Sequence, residues 1–215
     1  MDLPKDLIQD AKKRIDPYDV EGFVLGEGNP EADIMIVGEA PGEKEAEKGI
    51  PFIGRAGVEL DKQLQILDLD REDVYITSVV RSRPYKWVKT NKKGSGGRRK
   101  ANRKPNQKEI MAHAKLLDYQ IEKVDPVLII ALGGVAFERL TGRKEKISDY
   151  LGEVIETPIM KVGNNEDQYI ESEKTYPVVP LYHPAAVFYN PKIREDINRS
   201  LSRVKAHLER VKAEG

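Results

Sequence analysis

The stretch DIMIVGEAPGEKEAEKGIPFIGRAGVELD, residues 33–61, restricts the fold more than any other part of the chain. Its opening run, Ile34-Met35-Ile36-Val37, is apolar without alternation, the pattern of a strand buried on both faces. Gly38-Glu39-Ala40-Pro41-Gly42 then forces a turn that a strand cannot continue through. A charged loop and Gly49-Ile50-Pro51-Phe52-Ile53-Gly54 follow, and a helix begins at about Ala56. Strand, glycine-rich turn and helix in that order gather backbone N–H groups and side chains at the carboxyl end of a strand, where open α/β sheets bind ligands. The connection is longer than the ~2–6 residues usual for a βα loop. It also carries an apolar Pro-Phe-Ile between two glycines, for which a merely solvated connection has no use.

Three further runs read as core strands: Val74 to Val80, Val127 to Leu132 and Tyr176 to Leu181. Helices are expected over Leu3 to Ile15, from about Ala56, from the Asn106 N-cap to about Lys123, after Gly133-Gly134 to Leu140, and over about Lys192 to Lys212. Residues 150–175 read as one or two edge strands around a loop at Gly163-Asn164-Asn165. Apolar strands alternating with helices predict an α/β fold: a three-layer α/β/α sandwich about a central four-stranded, mostly parallel sheet. The length suits a single domain, residues 1–215, with a basic loop insert at about 84–106. The four strands then deliver GEAPG, the Arg81 segment, Ala131-Leu132-Gly133 and His183-Pro184 to one edge of the sheet.

The formal net charge is +0, but the charge is unevenly placed. Between Val74 and Lys108 there are twelve Lys and Arg and no acid, which leaves 24 basic against 36 acidic residues elsewhere. One basic block in an otherwise acidic chain predicts a surface that faces a polyanion. The glycines at Gly94-Ser95-Gly96-Gly97 predict a flexible tip. The chain has no cysteine, which excludes disulfides, a thiol nucleophile and cysteine-held metal.

In order along the chain, GEAPGEKEAEKGIPFIGRAG, VYITSVVRSRP and HPAAVFYNP resemble the first motif, the second-strand motif and the His-Pro motif of the uracil-DNA glycosylase superfamily, with its family 4 branch nearest. GEGNPEADIMIVGEAPG and DPVLIIALGGVA extend the resemblance, which covers about residues 22–205. It implies a monofunctional DNA repair glycosylase that excises uracil, or a related deaminated base, by hydrolysing an N-glycosidic bond. The implied partner is DNA containing a deaminated base. Family 4 holds an iron–sulfur cluster on cysteines, and this chain has none; two of those positions fall within Arg81-Ser82-Arg83-Pro84 and near His113, the other pair near Asp16 to Glu21. No metal or cofactor is expected. The second-strand motif has Ser78 where the family has a base-pairing Asn, and Glu45-Ala46 retains one acid of a pair. The basic insert resembles that of a branch which traps uracil DNA through a histidine; Asn102 falls at that position, so covalent trapping is not expected.

A glycosylase extrudes its target nucleotide into a pocket. The resemblance then implies that Phe52 stacks on the base, that the backbone at Gly38, Glu39 and Ala40 meets its carbonyls, and that Ser78 faces it. His183, fixed by Pro184, would stabilise the departing uracil anion as a neutral donor. His113 and His207 lie in expected helices and are weaker candidates. Glu45 would orient water or stabilise the cationic sugar, with Glu39 and Glu43 as the alternative carboxylates. Arg81, Arg83, Arg98, Arg99, Lys100 and Arg103 are expected on phosphates, and Val187 and Phe188 as an apolar wedge in the duplex. With no run of about 18 apolar residues and no signal-peptide core, the expected setting is cytoplasmic or nucleoid-associated, without membrane, as a monomer. The alternative reading is a DNA-binding or damage-sensing protein on a glycosylase scaffold, motivated by Ser78 and Ala46.

Overall fold

The structure is a computed structural model that describes residues 1–214. Its helices are α1 (Lys5–Ile15), α2 (Glu43–Lys48), α3 (Arg55–Ile66), α4 (Gln107–Val124), α5 (Gly134–Thr141), α6 (Ala186–Tyr189) and α7 (Arg194–Glu214). Its strands are β1 (Val20–Glu21), β2 (Glu27–Gly28), β3 (Ile34–Gly38), β4 (Val74–Ser78), β5 (Arg83–Lys89), β6 (Arg98–Asn102), β7 (Leu128–Leu132), β8 (Ile155–Val162) and β9 (Tyr169–Leu181). Among the described residues they form a six-stranded sheet, order β2-β4-β3-β7-β9-β8, and a three-stranded sheet, order β1-β5-β6.

The four expected core strands lie side by side and parallel as β4-β3-β7-β9. The large sheet is nevertheless wider than the four strands expected, because β2 and β8 add antiparallel edges. The two-residue β2 sits in a Gly-Glu-Gly turn with no strand pattern of its own. The expected edge hairpin is β8 with the first half of β9, which runs on into the core for 13 residues without a break.

Successive residues of each core strand point to opposite faces, so one strand feeds two cores. Met35, Val37, Ile129 and Ala131 pack with Leu117, Ile121, Phe137 and Leu140 from α4 and α5. Ile34, Ile36, Ile76 and Ile130 pack with Leu60, Leu64, Leu201 and Val204 from α3 and α7. That is the three-layer arrangement. Helix α4 begins at a reciprocal cap: Asn106 Oδ1 accepts from the Glu109 N–H at 2.8 Å, and Glu109 Oε2 accepts from the Asn106 N–H at 2.8 Å.

Two expectations about the basic segment are corrected. The insert is not a loop: β5 and β6 pair antiparallel from Tyr85↔Asn102 to Lys89↔Arg98, with the turn confined to residues 93–97. Arg81 is not on its surface. Its side chain is fully buried, donating to Thr77 Oγ1, Gln120 Oε1 and the Leu25 carbonyl. Burial pulls its guanidinium down to about 10, so it remains charged at neutral pH. Arg81 therefore ties α4 to the loop after β4 and cannot reach a phosphate.

His113, on the inner face of α4, is also buried, and its Nδ1 donates to the Glu109 carbonyl at 2.8 Å. Burial outweighs that bond and lowers its pKa from 6.5 to about 4. Between those values the unfolded chain binds a proton that the folded chain refuses. The stability present above pH 6.5 is thus lost as pH falls towards 4, by about 3 kcal/mol at ~1.4 kcal/mol per unit. In a series of melts across that range, His113→Leu is expected to show a flatter fall than wild type. Parallel curves for the two proteins would contradict the burial argument.

Candidate active site

A cavity of about 320 Å³ opens at the carboxyl ends of β3, β4 and β9. The turn after β3 supplies Glu39, Ala40, Pro41 and Gly42; α2 and its following loop supply Glu45, Pro51 and Phe52; β4 ends at Ser78; and β9 leads to His183 and Ala185. The turn is fixed by the loop after β4, whose Val79 and Val80 N–H groups donate to the Gly38 and Glu39 carbonyls at 2.9 and 3.2 Å. The structure thus gathers the expected Glu39, Ala40, Glu45, Phe52, Ser78 and His183 around one cavity, with Gly38 directly behind the Phe52 ring.

Phe52 is held under constraint. Its φ of 51° is left-handed, a conformation that costs a bulky residue on the order of 1–3 kcal/mol. Three features maintain it. A Cβ on Gly57 would lie 1.8 Å from the Phe52 carbonyl oxygen, so only glycine permits that approach. A Cβ on Gly38 would lie 2.9 Å from the ring. Arg71, a residue that sequence reasoning passed over, donates to the Pro51 carbonyl at 3.0 Å and to the Phe52 carbonyl, while its Nε donates to Asp61 Oδ1 at 2.6 Å. The Phe52 ring stacks near His183, with centroids 5.9 Å apart and planes 30° from parallel.

His183 has a defined tautomer. The Ala185 N–H donates to its Nδ1 at 3.1 Å, so the ring proton of the neutral form sits on Nε2. Burial lowers the imidazole pKa, with the nearby Glu45 carboxylate opposing, and so favours that neutral form. Glu45 is buried, and its Oε1 accepts from the Gly54 N–H at 3.0 Å. That N–H opens α3, where a carboxylate is favoured by the unpaired donors of a helix start. The Glu45 carboxylate also fills the space a Gly42 Cβ would take, 2.8 Å from Oε2. Glu39 lines the same cavity and burial raises its pKa, with Lys104 opposing. Glu43 is set apart: its side chain is 75% exposed and lies 3.6 Å from Arg83.

The Ser78 hydroxyl donates to the Val80 carbonyl at 2.6 Å, so towards the cavity it can only accept. A donor comes from the insert instead. Asn102, Arg103 and Lys104 form a wall of the cavity. Arg83 Nε donates to Asn102 Oδ1 at 2.7 Å, which fixes the amide orientation and leaves Nδ2 as a donor. The resemblance marked Asn102, at the position of the trapping histidine, but nothing in the sequence pointed to Arg103 and Lys104 as its neighbours on this wall, which depends on the hairpin pairing.

Several residues expected on DNA are committed elsewhere. Arg83 is buried and pairs with Glu21 at 2.6 Å; Lys100 is half-buried on the same carboxylate. Arg103 clasps Glu109 and donates to the Tyr85 carbonyl at 2.9 Å. Arg98 and Arg99 remain exposed, with Lys86, Lys89, Lys92 and Lys93 beside them. Val187 is buried among core residues of the α3 and α7 layer, and Phe188 is half-covered, with the Arg55 guanidinium 4.2 Å from its ring centroid. Val187 is not placed to enter a duplex; the exposed aromatic side chain of that segment is Tyr189, at 89%.

The corner where the resemblance implies a metal cluster does not offer ligands for one. Ser82 donates its hydroxyl to the Gly22 carbonyl at 2.7 Å, and His113 turns Nδ1 to its own helix. Among the described residues no group of three or more His, Cys, Asp or Glu could hold a metal ion. The same corner is closed by the β1–β5 pairing, by Glu21 between Arg83 and Lys100, and by Arg103 on Glu109.

Comparison with known proteins identifies the family. The chain is 36% identical over 183 residues to the type-4 uracil-DNA glycosylase of Sulfurisphaera tokodaii, covering 85% of this chain and 73% of the relative. It is 35% identical to the enzyme of the same name from Saccharolobus solfataricus, covering 94% and 86%. The Thermotoga maritima type-4 uracil-DNA glycosylase matches at 35%, covering 85% and 83%. The sequence profile of the uracil DNA glycosylase superfamily matches residues 25–205, and the chain belongs to that superfamily.

Proposed function

We propose that the chain is a DNA repair glycosylase that hydrolyses the N-glycosidic bond of uracil, or a related deaminated base, in DNA. The observation that carries the proposal is His183: a half-buried imidazole, its pKa lowered by burial, whose neutral form has its only proton on Nε2, at the wall of a cavity shared with a buried carboxylate. The extruded base stacks on Phe52. As the bond between C1′ and the base nitrogen breaks, its electron pair moves to the base, and the His183 Nε2–H stabilises the resulting anion. Glu45, held at one oxygen by the Gly54 N–H, balances the cationic sugar and takes the proton of the water that adds to C1′. Ser78 as acceptor and Asn102 Nδ2 as donor divide between them the contacts that one amide would make to the N–H and carbonyl of a deaminated base. Arg98 and Arg99 meet phosphates, and Tyr189 fills the vacated stack. The chain works as a monomeric single domain in the cytoplasm; among its described residues no helix is long and apolar enough to cross a membrane.

The test is incubation with oligonucleotides carrying one uracil, hypoxanthine or xanthine, followed by alkali. An alkali-labile break at the uracil is expected, with cytosine at the same place left intact. Intact strands with retained binding would return the chain to damage sensing without catalysis.

Arg71 acts on this chemistry through Phe52. Arg71→Leu frees the Phe52 carbonyl and the strained backbone relaxes, so the Michaelis constant for uracil DNA is expected to rise about tenfold, the worth of ~1.4 kcal/mol, with kcat little changed. Arg71→Lys, which keeps one donor, should recover part of it. A loss confined to melting temperature, with both kinetic constants intact, would make Arg71 structural only.

A further inference from the structure

We propose that the face of the β5–β6 hairpin carrying Trp87 binds the unpaired nucleotide beside the extruded one, making a stacking site for single-stranded DNA continuous with the base pocket. Antiparallel partners share a face. The register therefore puts Tyr85, Trp87 and Lys89 on the same side as Asn102, Lys100 and Arg98. Asn102 lines the base cavity, and Trp87 lies two residues farther along, about 7 Å at strand spacing. That is the reach of a neighbouring nucleotide rather than of a distant one.

The chemistry on this face suits a nucleobase and its phosphate. Trp87 is the sole tryptophan of the chain and is 48% exposed, an expensive placement for a large apolar ring on a hairpin that packs little else there. The Tyr85 ring meets it edge-on at 6.0 Å. The Arg98 guanidinium lies 5.4 Å from the Trp87 centroid, and Lys100 lies 5.7 Å from it and 4.4 Å from that of Tyr85. Aromatic rings interleaved with cations are the arrangement by which proteins hold single strands, bases on the rings and phosphates on the charges. The segment between Val74 and Lys108 itself has no acid, and the carboxylate brought against these cations from β1, Glu21, is paired with both Arg83 and Lys100. The Lys100 ammonium is anchored by Glu21, so the platform is braced before DNA arrives. A paired duplex keeps its bases stacked on one another and cannot offer a free face to Trp87, which commits the site to an unpaired strand.

The inference rests on the glycosylase reading only for the kind of strand, so its test uses DNA without uracil. With one tryptophan beside nine tyrosines, emission excited at the red edge of the absorption band, where tyrosine does not absorb, reports this residue alone. Titration with a short oligothymidylate is expected to quench it, at concentrations where anisotropy of the same labelled strand shows binding. Trp87→Ala should weaken single-strand affinity about tenfold or more, in line with the cost of losing one stacked base, and should affect a duplex of equal length far less. Trp87→Phe should restore most of it. Binding without quenching, or equal losses on single strand and duplex, overturns the inference. Uracil excision assayed separately stands or falls without it.

Discussion

His183→Ala is expected to slow uracil release by about 10²–10³-fold in single-turnover assays, the usual loss when one fixed donor to a developing anion is removed. DNA affinity should barely move, because the half-buried side chain lines the cavity rather than the outer surface where phosphates lie. The prediction depends on a particular atom. With Ala185 donating to Nδ1, the neutral ring has its one proton on Nε2 and needs no extra charge to stabilise the leaving base. A proton shared with a carboxylate is not required, and Glu45 enters His183's balance only as an opposing influence on its pKa.

Glu45→Gln is expected to cost about 10²-fold or more in the same assay, within the range for loss of a general base. The substitution is informative because the amide oxygen can keep the bond from the Gly54 N–H. Shape and position are retained and the charge is removed. A loss of rate with unchanged melting temperature assigns the effect to charge. A Glu39→Gln variant serves as the comparison: its carboxyl shares the cavity, and burial raises its pKa. If Glu39→Gln loses the rate and Glu45→Gln keeps it, the two carboxylates exchange roles.

The core of the fold was legible because its signals are local. Ile34 to Val37, Val74 to Ile76 and Leu128 to Leu132 are apolar without interruption, and each lies in a buried strand of the parallel core. Asn106 and Glu109 announced the start of α4 through a cap that is a property of four adjacent residues. The loops that converge on the cavity followed from the order of those elements. What escaped was set by tertiary pairing. Arg81 and Arg83 look like surface charge in sequence, yet one is sealed under α4 and the other against Glu21, partners 39 and 62 residues away. The β5–β6 hairpin is polar and glycine-tipped, so its alternation was masked by Lys and Arg; of its pocket wall only Asn102 was marked, by the resemblance. Val187 stands beside two aromatic residues in one loop; only packing shows that it faces the core and Tyr189 the solvent. Arg71 carries no motif at all, and its role appears only once the left-handed Phe52 is seen.

The central claim is that one cavity, carrying His183 and Glu45, breaks the bond between uracil and its sugar. The most direct measurement is the release of free uracil from a single-uracil oligonucleotide under enzyme excess, for wild type beside the His183→Ala, Glu45→Gln double variant, with DNA binding recorded for both. Wild type is expected to release the base, and the double variant to bind the strand and release almost none. No release by wild type, or equal release by both proteins, would contradict the claim.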